Sequence, residues 1–348
     1  MIKFLIASII VCLTNIAFAC TSFGVITESS VIMGKNRDSV YGKQTFELIK
    51  PIKQFVSWYD NPYKHKNEFY ALMHDNDVKM GVNKFGLAII EEDPVFPDDS
   101  SNNRKYYQPL VGYSEGMVLY GVLQNFATIT EIIPYINDIF SAAAPNFYQI
   151  SDRYSILIVE VAYGDSNSDT KRHFTYRVIS KSGEYFTHTN TYLSPQFESL
   201  NVINGSLSAA TRLSKITQYV LNNKNGYSNV QSWFLDTSSD VILPNNKNAC
   251  QNTSIFRSNL QSLTRIYPEI KTDTVYGTVS NFIVTNSKNN SSRVYLRIID
   301  YINVLKNGNQ KITYSELNTT LADLFAINGL DFKQKTFIRQ APVNGICK

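Results

Sequence analysis

The pattern of apolar and polar positions divides the chain into an apolar leader and a long series of strand-like segments. Phe4 to Leu13 is apolar except for Ser8, Lys3 precedes it, and Ala17-Phe18-Ala19 follows shortly after. A charged end, an apolar centre and a small-residue exit are the parts of a secretory signal peptide, so residues 1–19 are predicted to be removed, leaving Cys20 first. From Cys20 to Thr27 apolar and polar residues alternate loosely, and after Glu28-Ser29-Ser30 a second apolar segment opens at Val31, which predicts a β-hairpin. A three-residue loop pairs Thr27 with Val31 and brings Cys20 opposite Asp38 on one face. A one-residue slip would bring Arg37 there instead.

Further along, Met80 to Ile90 reads as a turn feeding a buried strand, and Met117 to Ile136 has helical spacing with a break at Pro134. Tyr154–Tyr163, Phe174–Ile179 and Tyr185–Asn190 are strand-like. Ser206–Leu221 carries Leu213, Ile216 and Val220 at helical spacing, with Ser208 as N-cap and Arg212 in the first turn. A cation there opposes the helix dipole, so it calls for an anionic or carbonyl partner. Thr274–Thr285 and Ser292–Asp300 are further strands, followed by an amphipathic stretch Ser315–Phe325. Many strands with few helices predict stacked sheets with helices outside.

Composition adds a large core. Hydrophobic residues make up 43% of the 348 and charged ones 18%, with 22 Tyr and 20 Phe, and no linker interrupts residues 20–348, which are expected to form one catalytic domain. A net charge of +4, slightly less once Lys3 leaves, is too mild to imply nucleic acid. No second apolar run long enough for a transmembrane segment follows the leader. His65, His74, His173 and His188 form no metal-binding spacing, so neither metal nor cofactor is expected. Monomer or homo-oligomer is left open. Cys12 departs with the leader, and of the remaining cysteines Cys250 and Cys347 are the disulfide candidates, with Cys20 the reactive thiol.

A cysteine at a new N-terminus carries a nucleophile and a base in one residue. The α-amino group and the thiol have ordinary pKa values of about 7.7–8.0 and about 8.5, so a proton passes between them at little cost near neutral pH. The competing reading is lipid attachment at Cys20, for which the position three residues earlier is usually aliphatic; here it is Ala17.

Several segments, in order, resemble one family. Cys20-Thr21-Ser22, Gly34-Lys35-Asn36-Arg37-Asp38, Gly81-Val82-Asn83-Lys84-Phe85-Gly86-Leu87, Thr187-His188-Thr189-Asn190 and Ser208-Ala209-Ala210-Thr211-Arg212 are similar to motifs of the N-terminal nucleophile hydrolases of the choloylglycine hydrolase, penicillin V acylase and acyl-CoA:isopenicillin acyltransferase (peptidase C45) group. The resemblance implies an α+β fold, a four-layer αββα sandwich of two mainly antiparallel sheets. It also implies that Cys20 is the nucleophile, Asp38 holds its amine, Asn190 supplies an oxyanion donor and Arg212 orients them. The basic role falls to Lys35, where bile-salt hydrolases have Arg, or to Arg37. The candidate substrate-binding positions are Asn83 of the strand-entry motif, Asp93 just after that strand, and His188, which shares a face with Asn190 and either lines the pocket or packs behind it. A papain-like set of Cys20, His188 and Asn190 is the competing arrangement. The resulting expectation is an exported, cofactor-free amidase acting on a linear, non-peptide acyl amide. The alternatives are an acyltransferase of the C45 type and a lipid-anchored binding protein.

Overall fold

A computed structural model describes residues 20–40, 44–51, 67–74, 76–94, 113–162, 173–201, 203–222, 261–262, 275–289, 292–304, 310–326 and 330–339. The leader, Cys250 and Cys347 lie outside the described residues, as do the polar stretches 98–105 and 164–171.

The chain opens with the expected hairpin, β1 (Thr21–Ile26) and β2 (Ser30–Val40), but its register is slipped by one residue. Ile26, not Thr27, pairs with Val31, and Thr21 pairs with Asn36. The cause is Thr27. Its backbone N–H donates to Ser30 O at 2.7 Å, and its hydroxyl oxygen accepts the amide hydrogens of Ser29 and Ser30 at 3.2 and 2.8 Å. Thr27 and Ser30 thus close a tight turn, and Ser30 joins the strand instead of the loop. Continued one step, this register faces Cys20 with Arg37, so the expected Cys20–Asp38 pairing is corrected. Asp38 pairs with Thr278 on the far side of β2.

The other strands are β3 (Gln44–Ile49), β4 (Phe69–His74), β5 (Asp77–Asn83), β6 (Ala88–Glu92), β7 (Asn146–Ser151), β8 (Ile156–Ala162), β9 (His173–Ile179), β10 (Tyr185–His188), β11 (Gln261–Ser262), β12 (Val275–Ser287), β13 (Arg293–Val304), β14 (Gln310–Thr320) and β15 (Lys333–Arg339). They form two sheets, ordered β10-β1-β2-β12-β13-β14-β15 with β11 beside β12, and β3-β4-β5-β6-β7-β8-β9. Neighbouring strands run antiparallel throughout.

Alternation along each strand sorts side chains into layers. Ile26, Val31, Met33, Leu72, Met80, Val82, Ile90, Ile156, Phe282 and Leu296 meet between the sheets. The opposite residues of the second sheet, including Ala71, Leu87, Ile89, Tyr148 and Ile150, pack under the helices α1 (Glu115–Asn125), α2 (Ile129–Ile132) and α3 (Ile136–Phe140). On the other side, Phe23, Val25, Ile32 and Ile283 pack against Ile216 and Val220 of α4 (Ile203–Asn222). The result is helix, sheet, sheet, helix: the αββα sandwich. Each fully buried side chain of this kind contributes roughly 1.5–3 kcal/mol. The sheets approach closely beside the first strand, because a Cβ on Gly24 would lie 2.6 Å from Ile156 of the second sheet, and it would also meet Phe186 of the neighbouring β10 at 2.2 Å.

Three helical expectations change. The helix expected over Met117–Ile136 is broken earlier, at residues 126–128, where Thr128 caps α2 by accepting from the Glu131 amide. Pro134 then sits in a 3-10 turn. The next helix begins at Ile203, so Ser208 and Arg212 are interior and the dipole argument for Arg212 does not apply. The first half of the amphipathic stretch Ser315–Phe325 completes β14, and α5 (Leu321–Ala326) is short.

Candidate active site

Cys20 is the residue that enters β1, and it is 2% exposed. Its neighbours follow from two registers. Beside β2 it faces Arg37, as described. Beside β10, Ser22 pairs with His188, so the next like-facing step sets Cys20 across from Asn190. The thiol residue therefore lies between a cation-bearing strand and the Thr-Asn segment, on the inter-sheet face.

Arg212 binds these elements together from α4. Its guanidinium donates to the backbone oxygen of Cys20, to Thr21 Oγ1 at 2.7 Å and to Asn190 Oδ1 at 2.8 Å. The carbonyl partner expected for this cation is thus the candidate nucleophile's own. With Oδ1 held by Arg212, the Asn190 amide is fixed in orientation. One Nδ2–H donates to the Asp93 oxygen at 2.7 Å, and an amide nitrogen has a second hydrogen to give.

Lys35 reaches the same region from β2 and is fully buried. Its Nζ donates to the Glu91 backbone oxygen and lies 3.3 Å from Glu91 Oε1. Burial works against its charge, but the negative groups of Cys20, Glu91 and Glu92 hold its pKa above the ordinary lysine value. Burial likewise disfavours charge on Glu91, yet Lys35, Lys79 and Arg37 keep it below the usual carboxylate range. Asn146 Nδ2 donates to Glu91 Oε2 at 3.3 Å and to Asp93 Oδ1 at 3.2 Å. Burial, with Glu91 and Glu115 nearby, raises Asp93 to about 7.

His188 is held by acceptors on both ring nitrogens. Nδ1 lies 3.0 Å from Glu92 Oε2 and also faces the Thr189 oxygen, and Nε2 lies 3.1 Å from Glu160 Oε1. Burial opposes its charge, but the two carboxylates raise it to about 9, while hydrogen bonds from His188, Ser194 and Leu193 lower Glu160 to about 2 against the opposing effect of burial. A raised histidine stabilises the fold fully below its ordinary 6.5, and this contribution is lost as pH climbs through about 9. A depressed carboxylate stabilises above its ordinary 4.5 and loses that contribution toward about 2. Thermal melts of wild type and His188→Gln are therefore expected to differ most between about pH 4.5 and 6.5 and to converge above pH 9; a difference independent of pH contradicts the assignment.

Not every predicted residue joins the site. Asn83 donates to Leu123 O and Phe126 O at 3.0 and 2.7 Å and accepts from the Phe85 and Leu87 amides at 3.0 and 3.2 Å. Its amide is spent joining the β5–β6 turn to the end of α1, so it is corrected to a structural residue. The side chain of Asp38 lies outside the described residues. Glu91, Glu92, Asn146 and Glu160 were not anticipated. The signal was present, since Glu91-Glu92 ends an apolar strand and Glu160 is the one charge within Ile156–Ala162.

The sequence model of the family described as acyl-coenzyme A:6-aminopenicillanic acid acyl-transferase matches residues 26–267, more than half of the chain. The chain belongs to this family. Within this acyl-transferase family member the match begins after Cys20, so the thiol is placed by the strand registers and the contacts above. No curated protein matches the chain. Among solved structures, a variant of conjugated bile acid hydrolase from Clostridium perfringens is similar at 13% identity, covering 93% of this chain and 99% of that one, with a TM-score of 0.45. A Caenorhabditis elegans ortholog of N-acylethanolamine-hydrolyzing acid amidase is similar at 12% identity, covering 76% and 92%, with a TM-score of 0.38.

Proposed function

We propose that the protein is an exported cysteine N-terminal nucleophile amidohydrolase that cleaves a linear acyl amide through a thioester on Cys20. Removal of residues 1–19 frees the α-amino group. The Cys20 sulfur then attacks the amide carbonyl carbon. The thiol proton passes to the α-amine and on to the leaving nitrogen as the C–N bond breaks. Water adds to the thioester, gives its proton to the amine, and the acid leaves as the thiol is restored. Lys35 favours the thiolate and the second Nδ2–H of Asn190 meets the oxyanion, while the family resemblance, not the hairpin register, is what assigns Asp38 to the amine. The observation that carries this reading is Arg212, one cation that binds the Cys20 carbonyl and Asn190 together.

The family's description names an acyl-transferase, which favours a second reading in which an amine takes the acyl group in place of water. Product analysis with and without an added amine separates the two: free acid throughout supports hydrolysis, and a new amide supports transfer.

Arg37 narrows the substrate. It is 6% exposed, its Nη2 lies 3.1 Å from His74 Nδ1, and Nη1 has no hydrogen-bond partner among the described residues. Among the described residues no carboxylate forms an ion pair with it, although its charge is felt by Glu91, and a buried guanidinium with no bonded anion is costly. Amides bearing a carboxylate, as N-acyl amino acids do, are therefore expected to be cleaved with higher kcat/KM than neutral amides of the same acyl chain. Arg37→Gln should erase a preference of about tenfold to a hundredfold, the worth of a charged hydrogen bond. Equal turnover of charged and neutral amides by wild type contradicts this role.

A further inference from the structure

Both ring nitrogens of His188 face only oxygen acceptors, so both carry hydrogen and the imidazole is a cation clamped between two carboxylates. The three groups come from two layers. His188 is on β10 of the first sheet, and Glu92 and Glu160 are on β6 and β8 of the second. All are at most 5% exposed in their side chains, and Phe147 packs on the imidazole with ring centroids 4.4 Å apart. This is an inter-sheet ionic pin in a place where the alternation of the strands would otherwise deliver apolar contacts.

Its position relative to Asn190 is specific. Glu160 accepts from His188 on one side of Asn190 and from the Leu193 and Ser194 amides, at 2.8 and 2.9 Å, on the other. One carboxylate thus staples both ends of the segment whose middle carries the oxyanion donor. Glu92 is the residue before Asp93, whose carbonyl takes one Nδ2–H of Asn190. The pin therefore fixes both the Asn190 backbone and the carbonyl that selects which amide hydrogen remains available.

We propose that His188, with Glu92 and Glu160, is a positioning residue for the reaction, holding Asn190 and the Asp93 carbonyl in the geometry that points the second Nδ2–H at the developing oxyanion. The proposal rests on the amidohydrolase reading above. It separates His188 from direct chemistry: both ring nitrogens are already bonded to fixed carboxylates, so the imidazole acts through Asn190 and is not the general base of a papain-like pair.

The test is a double-mutant cycle on the processed protein, using an acyl amide that wild type cleaves and the rate of Cys20 alkylation by iodoacetamide. His188→Gln is expected to lower kcat by between about tenfold and a hundredfold, as a misplaced donor does, with KM changed far less and alkylation close to the wild-type rate. In an Asn190→Ala background the same change should cost little more, because the donor it positions is gone. Undiminished kcat in His188→Gln overturns the proposal, and so does an equal fractional loss in the Asn190→Ala background. Should His188→Gln fail to fold, Glu160→Gln carries the same cycle, since its one amide oxygen at the Oε1 position still accepts from Leu193 and only the Ser194 amide loses its acceptor. Processed wild type that cleaves no acyl amide condemns the amidohydrolase reading itself, whereas active wild type with an unaffected variant condemns only the positioning role.

Discussion

Cys20→Ala is expected to abolish amide cleavage, by roughly ten-thousandfold or more, while the protein keeps its fold. The proposed mechanism runs through the Cys20 thiol, and Thr21 Oγ1 faces α4, where it accepts from Arg212. The structural cost is small because only a sulfur atom is lost, and the contact that ties Cys20 to α4 uses its backbone oxygen. Turnover of an acyl amide, set beside a thermal melt of the same preparation, checks both halves. Full activity in the alanine variant sinks the mechanism, and loss of the fold would move Cys20 from chemistry to packing.

Asn190→Ala carries the second largest effect, a loss of about a hundredfold to a thousandfold in kcat, the usual worth of an oxyanion donor. The change also strips Arg212 of an acceptor and Asp93 O of a donor, each at about 1–3 kcal/mol, so stability falls as well. Asn190→Asp separates the two. A carboxylate keeps the acceptor that Arg212 needs but cannot donate, so it should match alanine in lost turnover and exceed it in stability. Wild-type kcat in Asn190→Asp would show that the oxyanion is met elsewhere.

How much of this was legible in the sequence varied with the kind of signal. The layered sheets followed from short apolar segments, because a strand with one face toward α4 and the other toward a second sheet must be apolar on both, as the wholly buried β1 is. The register of the first hairpin was missed by one residue, since a threonine hydroxyl that closes a turn is invisible to an alternation argument. That single step decided whether Arg37 or Asp38 faces Cys20. Arg212 was recognised both by the family motif and by a first-turn dipole argument; the dipole argument does not apply, and its partners are the Cys20 carbonyl, Thr21 and Asn190. Asn83 matched a motif, yet its hydrogen bonds serve the turn. The Glu92–His188–Glu160 pin joins residues far apart in sequence, and nothing local foretells such a contact. Isolated acids in otherwise apolar strands were the available clue.

The measurement that bears most directly on the central claim is the N-terminal sequence and intact mass of the mature protein from its native host, before and after an acid-quenched incubation with a cleavable amide. The account predicts an unmodified chain that begins at Cys20 and a transient acyl mass on that residue. A chain that still carries residues ahead of Cys20, or one whose Cys20 bears a lipid, has no free amine to act as base and contradicts it.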